Sequence, residues 1–353
     1  MPREPHPWLR ETAAVLHGGD ADVLLDLSAS IAPLGPSPAA VAAARAAPLD
    51  RYPERVAASL TRAMGGELGL DPERVVAGAG AADLLVRTFA AHLRPGDAVV
   101  VVAPCFGEYA RAARACGATT VRWSAPAKSG FAVDPPAIAA LARQHRAALG
   151  VLARPANPTG VAVALPQLAE LMAEAPGTRW VVDEAFIGLA DDPRSSAGGD
   201  AVVVRSLTKE LALPGLRVAV ADAPPAVAGA LRALAPPWIV SAPALAAALA
   251  GLADSGHRRA TRAAVSAGRA RLLTLLDQLG AGPTHAVANF VCAAGLRPAE
   301  AERAAGRLRA HGIAVRLCDD LGLRGGLRLA VPPPAEQERV ERALREAMSA
   351  VPA

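Results

Sequence analysis

Lysine is almost missing from this chain. Of its 37 basic residues only Lys128 and Lys209 are lysines, and the rest are arginines. Chemistry that needs a nucleophilic amine therefore has two side chains to choose from. The four cysteines, Cys105, Cys116, Cys292 and Cys318, form no CxxC pair, and none of the seven histidines stands in a metal-ligand spacing. That argues against a disulfide framework and against a bound metal, and it fits a reducing, cytoplasmic location. No block of like charge interrupts a net charge of only +4, so a nucleic-acid groove is not expected. Long apolar runs are also absent. The first twenty residues contain no signal-like core, and the most apolar stretch, Trp238 to Ala253, is broken by Ser241 and Pro243, so no membrane association is expected. What remains is 353 residues that are 52% hydrophobic, enough for one large domain and a smaller one.

Between about residues 40 and 225 the sequence alternates alanine-rich helical stretches with short β-branched runs. These begin near residues 75, 98, 119, 148, 179, 200 and 216. Continuous apolar strands separated by helices predict a mostly parallel sheet of seven strands, covered on both faces. Residues 1–40 read as an arm punctuated by proline and glycine and running over the surface, 41–240 as the large domain, and 241–353 as a smaller α+β domain with the order helix, strand, helix, strand, strand, helix.

The strand ends carry the chemistry, and open α/β sheets place their ligands there. Lys209 follows one apolar strand, with Ser206 and Thr208 beside it and Arg217 eight residues on. Desolvation and neighbouring cations lower the pKa of such a lysine, which can then form a Schiff base with a carbonyl, while Ser206 and Arg217 hold an anion beside it. Lys128 sits among turn residues and reads as solvated. Asp183 ends a strand too apolar to carry a carboxylate without a partner, and a protonated pyridine nitrogen would be such a partner. Asn157, in an NPTG turn after another strand, can donate to a phenolate oxygen of the same ring. The glycine-rich turn before Ala81 and Ala82 opens a helix whose free N–H groups suit a phosphate, and Phe106 offers a face for a flat ring. Cys105 has no base beside it and reads as inert.

Taken in order, these features resemble the pyridoxal phosphate enzymes of the aspartate aminotransferase fold. The resemblance is nearest to the threonine-phosphate decarboxylases of cobalamin biosynthesis, close relatives of the histidinol-phosphate aminotransferases. It rests on HGG from His17, the PLG arm, RYPE from Arg51, FGEYARA from Phe106, NPTG, DEAFI, RSLTK, PGLR, PPWIV, ANF, VRLC and LRLAV. It implies fold type I, pyridoxal phosphate on Lys209, Asp183 as the pyridinium partner, Asn157 as donor to the ring O3′ and Phe106 as the stacking residue. It also implies a phosphate site of Ala81, Ala82, Ser206 and Arg217, with Tyr52 reaching it from a neighbouring subunit, hence a homodimer. On the substrate side it implies Arg328 for a carboxylate, with Arg316, His17 and the arm near Ser30 for a phosphate, and Asn157 alongside them.

The expected reaction is decarboxylation of L-threonine O-3-phosphate to (R)-1-amino-2-propanol phosphate. The alternatives are a histidinol-phosphate-type aminotransferase and a decarboxylase of another phosphorylated amino acid such as phosphoserine. A catalytically silent relative is a reading of a different class, and the presence of both Lys209 and Asp183 weighs against it. Phe186 stands where aminotransferase relatives usually have a tyrosine, which favours the decarboxylase branch. Ser30, Ala32, Ala79, Ala82 and Pro332 depart from the decarboxylase pattern, each removing a donor to an anion.

Overall fold

In a computed structural model, which describes residues 15–19 and 22–349, a short strand β1 (Leu25–Asp26) precedes seven strands of one sheet. These are β2 (Val75–Gly78), β3 (Ala98–Ala103), β4 (Thr119–Ser124), β5 (Leu149–Ala153), β6 (Arg179–Asp183), β7 (Val202–Ser206) and β8 (Ala219–Asp222). They lie in the order β2-β8-β7-β6-β5-β3-β4. Only β8 runs against its neighbours; the other adjacent pairs are parallel. All seven expected strands are present, and the pleat explains why they read as unbroken apolar runs. Val99 and Val101 enter a core with Val181, Val202 and Val204 on one face, while Val100 and Val102 enter another with Val182, Val203 and Trp180. A strand buried on both faces has no polar side to alternate with.

Register places the site. Ala153 pairs with Asp183, and Asp183 with Val204, so the carboxyl ends of β5, β6 and β7 are side by side. Asn157, Asp183 and Lys209 therefore come from three adjacent strand ends. The reversed β8 begins where β2 and β7 finish, since Ala219 pairs with both Gly78 and Ser206. That single antiparallel strand brings Arg217 against the turn before Ala81 and against Ser206.

The later part of the chain builds β9 (Phe290–Ala293), β10 (Ile313–Ala314), β11 (Arg316–Leu317) and β12 (Leu327–Ala330). An antiparallel sheet β11-β12-β9 puts Arg316 directly opposite Arg328, and cross-strand partners share a face. The helices Ser255–Gln278, Pro298–Ala310 and Gln337–Ser349 cover this sheet around Leu272, Leu276, Leu308, Leu327, Leu329 and Leu344; between the last two helices lie three short strands where two were expected, because β10 leaves to pair with β1. The apolar stretch after Trp238 becomes the helix Ala242–Ala253, and Asp254, accepting from the His257 N–H, caps the long helix that follows. Among the described residues no helix is long and apolar enough to cross a membrane.

The arm departs from its expected surface path. Strand β1 pairs in parallel with β10, after which Leu27 enters the core of the small sheet and Ser28, Ser30 and Ala32 are buried. The reason is hydrogen bonding as well as apolar burial. Backbone carbonyls of this stretch accept from buried cations and amides: Ser28 O from Arg328, Ala29 O from Lys209 and Ser30 O from Asn289.

Candidate active site

One cavity of about 690 Å³ gathers His17, Ala81, Ala82, Phe106, Asn157, Asp183, Ser206, Lys209, Arg217, Arg316 and Arg328. These are eleven of the thirteen residues singled out from the sequence. Lys209 sits at its floor, Nζ donating to the Ala29 carbonyl at 2.7 Å and standing 5.9 Å from the centre of the Phe186 ring. Burial first, and then the charges of Arg328 and Arg217, bring its ammonium down to about 8. This is the environment that makes an amine nucleophilic near neutral pH.

Asp183 is buried at the end of β6. One carboxylate oxygen accepts from the Tyr109 hydroxyl at 2.6 Å and the other from the Ala185 N–H at 3.0 Å. Burial raises its pKa, while these two donors oppose the rise. Asn157 accepts from Arg328 through Oδ1, which leaves its NH₂ as a donor into the cavity. Arg328, buried, also donates to Ser28 O, lies 5.2 Å from the Phe290 ring centre and keeps Nε without a partner.

At the opposite end, the helix Ala81–His92 starts after Gly80 with no side-chain cap, so its first N–H groups are open. Gly80 has φ +88°, and a Cβ there would run into the Arg217 guanidinium. Ser206 Oγ and Thr208 Oγ1 are 2.6 Å apart. Open amides at a helix start, a guanidinium and two hydroxyls make a cradle for a phosphate. Together with an amine, a buried carboxylate and an aromatic, this donor set fits pyridoxal phosphate. Cys105, close by, is no competitor as nucleophile, since burial pushes its thiol up to about 12.

Two predicted residues stand apart. Tyr52 is 75% exposed and stacks on Trp238 with ring centres 4.2 Å apart, outside the cavity of its own chain. Ser30 is fully buried at φ +50°, its hydroxyl lacks a hydrogen-bond partner, and it does not line the cavity. Ser28, Ala29 and Ile31 line it instead, because the left-handed residue between them points into the protein.

Sequence reasoning passed over Tyr109, Glu108, Arg111 and Asp320. Tyr109 had a signal: it is one of only two tyrosines and lies three residues after Phe106, whose ring it meets edge-on at 5.9 Å across the start of the helix. Glu108 is buried and pairs with Arg111 and with His17 Nε2, the latter at 3.3 Å. Arg316 donates to Leu16 O at 3.1 Å and to Asp320 at 2.6 Å.

Known proteins agree with this geometry. Residues 22–346 match the family described as aminotransferase class I and II. A histidinol-phosphate aminotransferase of Paramagnetospirillum magneticum is 36% identical over 98% of this chain and 99% of its own length. One of Symbiobacterium thermophilum is 36% identical over 92% of this chain and 91% of its own. Among solved structures, histidinol-phosphate aminotransferase of Sinorhizobium meliloti, in complex with pyridoxal-5'-phosphate, superposes with a TM-score of 0.88 over 97% of each chain at 23% identity. These relatives bear the name of the alternative reaction rather than of the decarboxylase that the sequence motifs put first. On the fold and the cofactor class the two lines agree: this chain belongs to the class I and II aminotransferase family of pyridoxal phosphate-dependent enzymes.

Proposed function

We propose that this chain acts on a small phosphorylated amino acid, cleaving the Cα–carboxylate bond of L-threonine O-3-phosphate to give (R)-1-amino-2-propanol phosphate. The observation that carries this reading is Phe186. Its buried ring lines the cavity beside Lys209 and packs edge-on against Phe290 at 4.9 Å. Where a tyrosine would add a donor to the ring oxygen, Phe186 has none, and the Asn157 amide serves alone. The loss of one such bond, worth about 1 kcal/mol, leaves more negative charge unsupported on that oxygen.

When bound, pyridoxal phosphate supplies an electron sink for the carbanion formed at Cα. The chain's own groups do the rest. Lys209 presents a partly neutral amine and moves a proton at Cα. Asp183, with Tyr109 behind it, holds the proton on the ring nitrogen. Arg217, Ser206 and the helix start at Ala81 and Ala82 hold the cofactor phosphate, and Phe106 covers the ring face. Arg328 grips the substrate carboxylate; Arg316 and His17 face its phosphate. Which bond breaks depends on how these two ends orient the substrate. Tyr52 and Trp238 form an exposed aromatic stack, in keeping with a homodimer in which Tyr52 reaches the partner's cofactor phosphate. The division into an arm (1–40), a large domain (41–240) and a small domain (241–353) belongs to the same proposal.

A second reading, transamination of histidinol phosphate, has the support of the relatives' names and their 36% identity over nearly the whole chain. One experiment separates the two. Holoenzyme is mixed with L-threonine O-3-phosphate without a keto acid, and carbon dioxide and amine product are measured; histidinol phosphate with 2-oxoglutarate is run beside it. Turnover in the first alone establishes the decarboxylase. Turnover in the second alone establishes the aminotransferase and removes Phe186 as a guide.

A further inference from the structure

At one end of the cavity His17, Arg111 and Arg316 meet two carboxylates, Glu108, which lines the cavity, and Asp320, which stands behind Arg316. The two acids are not equivalent. Glu108 is 7% exposed and holds both His17 and Arg111, its Oε2 accepting from Arg111 Nε at 2.6 Å. If it moved away, it would leave both Arg111 and His17 without this partner. Asp320 is 31% exposed, sits in the short turn Asp319–Leu321 and is bonded, among the described residues, to Arg316 alone. It can rotate into water at little cost. Arg316 cannot follow: it is 11% exposed and is also held by two backbone carbonyls, those of Leu317 at 2.5 Å and of Leu16 at 3.1 Å.

We propose that Asp320 is a specificity-determining residue: its carboxylate is an internal anion on Arg316 that the phosphate of an incoming ligand displaces. The inference rests on the reading that the substrate is phosphorylated. A phosphate brings more charge and more acceptor oxygens than a carboxylate, so it wins the guanidinium, whereas a neutral or hydroxyl-bearing side chain leaves the Arg316–Asp320 pair closed. Asp320 thereby taxes every ligand that reaches Arg316, and only a dianion repays the tax. The Leu16 carbonyl on the same guanidinium ties the arm to this exchange. Gly18 keeps the arm in place, because a Cβ there would collide with the Ser28 carbonyl, and Gly19 N–H donates to Ser28 Oγ at 2.9 Å.

The test uses methyl phosphate, which has neither an amine for Lys209 nor a carboxylate for Arg328. Its binding to holoenzyme, whose cofactor phosphate fills the cradle at Ala81, is measured by calorimetry. D320N is expected to tighten methyl phosphate about fivefold, the effect of losing a partly exposed ion pair, and R316A to abolish binding. D320S is expected to act as D320N does, and both variants are expected to gain affinity for acetate, which in wild type cannot displace the internal carboxylate. If wild type binds methyl phosphate through Arg316 but D320N leaves the affinity unchanged or weaker, Asp320 only positions Arg316 and the inference fails while the phosphate reading stands. If neither wild type nor D320N binds methyl phosphate, both fall together.

Discussion

The two ends of the cavity are built on different terms. At the cofactor end, Asp183 and Ser206 are fixed by three things that reinforce one another, strand register, burial, and bonds to the side chains of Tyr109 and Thr208, while Lys209 leans on the arm through the Ala29 carbonyl. At the substrate end, Arg316 and Arg328 are steered by backbone carbonyls of an arm 300 residues away in sequence, and His17 and Asp320 are partly in water. A rigid sheet edge preorganises the chemistry common to the family, while the part that selects a substrate depends on the path of the arm, which β1 and the buried Leu27 anchor and which decides the carbonyls that meet the two arginines.

The sharpest way to break this comparison is at Lys209. Lys209→Met is expected to reduce turnover by at least about a thousandfold and to remove the visible absorbance of the loaded enzyme. Its second effect has the opposite sign. Because Lys209 falls from 10.5 to about 8 on folding, folding disfavours its charged form. The penalty is complete below pH 8 and fades as pH rises towards 10.5, with a ceiling of about 3 kcal/mol. Urea unfolding of the cofactor-free variant should show higher stability than wild type at pH 7 and a shrinking gap towards pH 10. A constant gap would mean that Lys209 is not held neutral by its surroundings.

At the other end Arg316→Ala is expected to raise KM for the phosphorylated substrate about thirtyfold, the cost of a charge-assisted contact, while cofactor retention after dialysis stays as in wild type. Loss of cofactor together with the KM change would mean that the two ends are one coupled unit.

Tyr109→Phe probes the cofactor end without touching the reacting atoms. The hydroxyl donates to Asp183 and holds that carboxyl below where burial alone would put it. Removing it should move the acid limb of the pH–rate profile to higher pH and weaken cofactor retention about tenfold. A tenfold loss with an unmoved acid limb would reduce Tyr109 to packing.

Legibility from sequence follows the same divide. Strand ends announce themselves, because the apolar runs of the inner strands stop at residues that do not belong in a core, and Lys209, Asp183 and Asn157 were singled out on that ground. The antiparallel β8 was not, yet it is what carries Arg217 to the cradle. Tyr109 stood out as one of two tyrosines, but its partner Asp183 did not, because a helix face carries no label for the strand it meets. The carbonyls of Ser28 and Ala29 were invisible in principle, since every residue has one and only the thread of the arm decides which are used. Ser30 came from the resemblance alone, and no motif foretells that the residue there is left-handed, at φ +50°, and turned into the protein.

Ser30 gives the smallest and most diagnostic effect. The Ser30 hydroxyl is buried with no partner, and an unsatisfied buried hydroxyl costs about 1 kcal/mol or more. Alanine fits the same backbone at no extra strain, since both residues carry a Cβ. Ser30→Ala should therefore raise Tm by about 1–2 °C and leave KM for the phosphorylated substrate unchanged, which would remove Ser30 from the substrate set and leave the arm's contribution to its carbonyls and to His17. A severalfold rise in KM with no change in Tm would show the hydroxyl turning to the substrate on binding. The substrate end would then be a site completed by its ligand, in contrast to the cofactor end, where the partners of Asp183 are already in place.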